Sequence, residues 1–137
     1  MKSRSESLIR LKKFQADEKR RQVSQIETMI ADFRRMATEL DQQIEIEQHK
    51  TGISDIHHFA YSTFAKAAMA RRDNLLASAN DMREKLEAAQ DALAEAVEDL
   101  KKVELLDQRE NQREAADQLK AEQAEYDEIG RLRFRRT

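Results

Sequence analysis

The apolar residues of this chain recur in alternating steps of three and four, and that rhythm narrows its folds more than any other feature. One run reads Val23, Ile26, Ile30, Phe33, Ala37, Leu40 and Ile44; a second reads Leu75, Ala79, Met82, Leu86, Ala89, Leu93, Ala96, Leu100 and Val103. A mean spacing near 3.5 residues holds one stripe of a helix against a partner helix and winds the pair left-handed. Upstream of Val23 the same positions carry Lys19, Ala16, Lys12 and Ile9, so the seam is expected to shift there toward Leu8 and Leu11. Downstream of Val103 it weakens to Asp107 and Glu110. Composition points the same way. Two glycines and no proline in 137 residues leave few of the turns that sheets and α/β domains need. Ala, Glu, Lys, Leu and Arg make up just over half of the chain, a usage typical of long helices and coiled coils.

The one strong break is His49-Lys50-Thr51-Gly52-Ile53-Ser54-Asp55. Gly52 suits the left-handed conformation that ends a helix, Ser54 is a good N-cap, and Asp55 favours the first turn of a following helix. The expected fold is therefore all-α: a single coiled-coil domain over residues 1–137, with helix 1 at about 4–49, a turn at 50–55 and helix 2 at about 55–129. Gly130 is expected to release a basic tail at 130–137. So short a turn reverses the chain into an antiparallel two-helix hairpin. Residue 49 then opposes residue 56, and helix 2 overhangs helix 1. Charge supports the pairing: residues 1–22 carry net +5, whereas their expected partner, 84–103, carries net −3. The net charge of −2 hides strong segregation, with −9 over residues 81–128 and +4 from Arg131 onward.

Little catalytic chemistry is available to such a chain. Without cysteine there is no thiolate nucleophile, disulfide framework or Cys-ligated zinc. His49, His57 and His58 cluster at the turn, but their spacing matches no standard helical ligand pair, so they read as surface residues. No Gly-rich phosphate loop, nucleophile elbow or Ser-His-Asp arrangement occurs. The abundant carboxylates fall on solvated faces with no pocket to tune them. A non-enzyme with neither cofactor nor metal is expected. No apolar run is long enough for a bilayer, and the charged N-terminus lacks the apolar core of a secretory signal. A cytoplasmic protein that does not insert into membrane is the corresponding expectation.

Three stretches suit partner binding. One is the basic arm of Arg4, Arg10, Lys12, Lys13, Lys19, Arg20 and Arg21; a second is the tail Arg131-Leu132-Arg133-Phe134-Arg135-Arg136. In the hairpin both lie toward one end, where basic charge fits an acidic protein surface or, through phosphate contacts, nucleic acid. The third is the start of helix 2, with Ile56, Phe59, Tyr61, Phe64 and Met69. Tyr61 and Phe64 either cap the seam at the turn or form an exposed aromatic patch for another protein.

Taken together, the charged hairpin, the basic amphipathic start, Tyr61-x-x-Phe64 soon after the turn, and the terminal Tyr126-Asp127-Glu128-Ile129-Gly130-Arg131-x-Arg133-Phe134-Arg135 resemble the bacterial flagellar export protein FliJ family. The resemblance covers essentially the whole chain. It implies a cytoplasmic component of the flagellar type III export apparatus, similar to the stalk subunit of rotary ATP synthases. Such a protein acts in the hexameric export ATPase ring, promotes ring assembly, couples the ring to the membrane export gate, and in some members escorts export chaperones. By resemblance, Tyr61, Phe64, Ala68 and Leu75 would meet the gate protein, with Ala68 smaller than the family's usual residue. Leu8, Leu11 and Phe14, with Arg131, Phe134 and Arg135, would enter the ATPase ring. A monomer when free and no nucleic-acid partner are expected. The stalk of a virulence type III system, a self-assembling scaffold and a nucleic-acid-binding coiled coil remain as alternatives.

Overall fold

The computed structural model describes the backbone of residues 2–136 and the side chains of residues 4–135. Two helices account for nearly all of it: α1 (Lys2–Thr51, 50 residues) and α2 (Thr63–Arg136, 74 residues). No strand occurs among the described residues. The fold is an all-α helical hairpin that divides into two compact units, residues 16–95 and residues 1–15 with 96–137.

In the unit of residues 16–95 the buried positions of α1 fall seven residues apart: Ala16, Val23, Ile30, Ala37 and Ile44. Between them lie the half-buried Lys19, Ile26, Phe33, Leu40 and Glu47, so the heptad runs through this unit without a slip. Facing them are buried Tyr61, at the end of the loop, and on α2 buried Ala65, Ala68 and Ala79 and half-buried Arg72, Leu75, Met82, Leu86, Ala89 and Leu93. The alanines leave room for the two helices to approach closely, and Val and Ile opposite them supply apolar area worth roughly 1.5–3 kcal/mol per buried side chain.

The turn differs from the sequence expectation in length. Gly52 does end α1: its φ is +74°, and its N–H donates to the Gln48 carbonyl at 2.9 Å, a left-handed C-cap. Helix α2, however, starts at Thr63 rather than near 55. Ser54 is not its cap. Asp55 Oδ1 accepts from the His57 N–H at 3.0 Å and the Asp55 carbonyl from the His58 N–H at 3.1 Å, so the acid folds a local turn within the loop at 52–62. The cap is Ser62, whose Oγ accepts from the Ala65 N–H at 3.2 Å. With the longer loop, Gln48 meets Tyr61, Glu47 meets Ser62 and Asp41 meets Arg72, in place of residue 49 against residue 56.

In the other unit, Ser5, Ile9 and Lys12 of α1 are half-buried, as are Ala96, Val97, Asp99, Leu100, Val103 and Asp107 of α2. The expected shift toward Leu8 and Leu11 does not occur: they are 43% and 49% exposed. Lys12 keeps the original phase because a lysine can lay its methylene stem along a seam and hold its ammonium in water. From Gln108 to Arg135 every residue is exposed, so α2 outruns its partner. The expected break at Gly130 is also absent, since α2 runs on to Arg136. One glycine costs a helix about 1 kcal/mol, too little to stop a run rich in strong helix formers. Met1, Thr137 at the end of the expected tail, and the Arg136 side chain lie outside the described residues.

Candidate functional site

The aromatic stretch leading into α2 separates into an inward and an outward half. Tyr61 is 6% exposed, and its hydroxyl accepts from Gln48 Nε2 at 2.8 Å. Beside it the Ser62 hydroxyl donates to Glu47 Oε1 at 3.1 Å while capping α2. A polar clamp therefore closes the turn end of the seam, and among the described residues no buried side-chain nitrogen or oxygen lacks a partner. Ala68 is buried as well and Leu75 half-buried. Of the four residues singled out for a gate contact, only Phe64 presents a large surface, at 56% exposed. Tyr61 thus caps the seam and Phe64 does not.

Three further large apolar side chains near the turn are exposed: Phe59 and Ile56, both in the stretch the sequence marks for partner binding, and Ile46, which it does not mark. Phe59 is 97% exposed and stacks on His58, with ring centroids 4.7 Å apart. Ile46 was legible in principle, because it falls between the seam positions Ile44 and Glu47. The outward orientation of Phe59 was not, because it depends on the local turns of the loop. About two and a half turns into α2, Arg72 donates from Nη1 to Asp41 at 2.9 Å and from Nε and Nη2 to Asp73 at 3.1 and 3.0 Å. The Asp41 bond, then the Asp73 bond, raises the guanidinium pKa above its ordinary value. It stays charged throughout the physiological range and ties α2 to α1.

The terminal candidates fall on three separate surfaces. Leu8 shares one with Arg4, Ser5 and Glu110, and Leu11 and Phe14 line another surface with Ser7 and Arg10. Arg131, Phe134 and Arg135 line a groove with Tyr126, Asp127 and Gly130. About 20 residues of helix separate Glu110 from Arg131, roughly 30 Å at 1.5 Å per residue. The structure therefore does not gather the two sets into one surface. Phe14 and Phe134 are 59% and 84% exposed, as anchors for partners would be.

Among the described residues no group of histidine and carboxylate side chains is arranged to hold a metal ion, and no helix is long and apolar enough to cross a membrane. The grooves are open surfaces rather than enclosed pockets, and the arrangement suits docking more than chemistry. No curated protein and no solved structure matches the chain. One family model does, over residues 1–137: the Flagellar FliJ protein.

Proposed function

The chain belongs to the FliJ family of non-catalytic flagellar export components, and from that premise we propose that it serves as the stalk-like subunit of the export ATPase ring. In this role it promotes ring assembly, couples the ring to the membrane export gate, and escorts export chaperones. It works in the cytoplasm at the base of the flagellum. The observation that carries this reading is the family match along the entire chain, on a hairpin whose α2 extends beyond its pairing with α1. A flagellar family model also favours flagellar export over the virulence alternative.

Within this reading the ring contacts are made by Leu8, by Leu11 and Phe14, and by Arg131, Phe134 and Arg135, on separate surfaces. The gate contact is made by Phe64, with Tyr61, Ala68 and Leu75 shaping the helix beneath it. Complementary charge steers docking, and the mixed charge along both helices limits nonspecific adhesion. The test adds the protein to its purified export ATPase. A rise in hexamer mass and in turnover is expected; unchanged mass and turnover would remove the proposal. For the gate, Phe64→Ala should weaken binding of the gate protein while circular dichroism stays at the wild-type value. Undiminished binding would remove Phe64 from the contact.

A further inference from the structure

Gly130 lies inside α2, where glycine is the least favourable residue after proline. Its φ is not in the left-handed region, so the backbone does not require it. Nothing lies within 4 Å of the position a Cβ would occupy, so packing within the chain does not require it either. What the missing side chain does create is a notch. Tyr126 stands one turn before it and Phe134 one turn after, 75% and 84% exposed, and the three line one groove with Asp127, Arg131 and Arg135. A glycine between two large side chains is the arrangement that lets another backbone come close.

Two further observations describe what would enter. Leu119, Gln123, Tyr126, Gly130 and Phe134 follow one another in steps of three and four, an uncharged stripe at the spacing that interlocks with a second helix. Arg131 and Arg135 border the notch, whereas its one acid, Asp127, accepts from Gln123 Nε2 at 3.3 Å on its own helix. Two arginines against one acid leave the groove net basic, which suits an incoming carboxylate.

We propose that the Tyr126–Gly130–Phe134 notch seats a carboxylate-bearing helix of the export ATPase, with closest approach at Gly130. The proposal rests on the reading that this end of the protein engages the ATPase, and it adds the kind of element that docks and the residue that admits it.

Full-length Gly130→Ala, Gly130→Leu and Arg131→Glu/Arg135→Glu proteins are titrated against the purified export ATPase, with helicity followed by circular dichroism. Both glycine replacements should hold or raise helicity, so lost binding cannot come from unfolding. Gly130→Ala should weaken binding severalfold and Gly130→Leu by at least about tenfold, as a side chain forced into a close contact does. The arginine reversals should weaken binding and flatten its dependence on salt. Wild-type affinity in Gly130→Leu would overturn the notch and leave the ATPase reading standing. Unchanged affinity in the arginine variant would overturn the carboxylate partner. No binding by the wild-type protein would overturn both the notch and the reading beneath it.

Discussion

Residues 16–51 and residues 108–135 are both uninterrupted helix, yet they are helical for different reasons. In the first, an apolar or half-apolar residue returns at every seam position, and five of them are buried against α2. Tertiary packing supplies most of the stability there, as it does for helices generally. In the second no residue is buried, and the helix depends on Ala, Glu, Gln, Lys and Arg and on local pairs such as Gln123 with Asp127. One stretch is held by what it covers and the other by its own propensity, so equal substitutions should have unequal effects.

The sharpest break of that contrast is a charge in the seam. Ile30→Asp places a carboxylate where the side chain is 7% exposed and should cost about 3 kcal/mol or more, lowering the urea midpoint steeply. A midpoint close to wild type would mean that the seam contributes little. Ala65→Leu comes next. Ala65 has no exposed surface, so the added carbons of leucine must push α1 away, at about 1–3 kcal/mol; thermal melting would show it. Tyr61→Phe removes only the acceptor of the Gln48 amide and should cost about 1 kcal/mol, with helicity preserved. Leu119→Asp closes the series. At 66% exposed it should change stability by less than about 0.5 kcal/mol. A large loss there would show that the stretch is covered after all.

Those magnitudes also explain what could be read from the sequence. The seam was legible from Val23 to Ile44 and from Leu75 to Val103 because apolar residues mark nearly every turn. Gly52 was legible because a glycine after a basic last turn has one common use. The start of α2 was not. Ser54-Asp55 and Ser62 are equally good caps by local chemistry, and the choice between them is made at a distance, by Tyr61 reaching Gln48 and Ser62 reaching Glu47. By sequence Lys12 and Lys19 look like the end of a register, because their charge hides the stem that packs. The site residues divided similarly. Spacing put Tyr61, Phe64, Ala68 and Leu75 together, but only packing separates the two that are buried, Tyr61 and Ala68, from Phe64 at the surface. For the terminal set, the pairing register decided that Leu8 meets Glu110 rather than Arg131.

The unbroken passage of α2 through Gly130 makes the helix an angular ruler. Each residue between Val103, the last apolar seam position, and Gly130 turns the notch by about 100° around the axis. Adding one residue there would aim Tyr126 and Phe134 in a new direction without altering a single contact they make locally. Adding seven would bring them nearly back to their original bearing, about 10 Å further out. The length of this segment therefore sets the direction in which the notch faces.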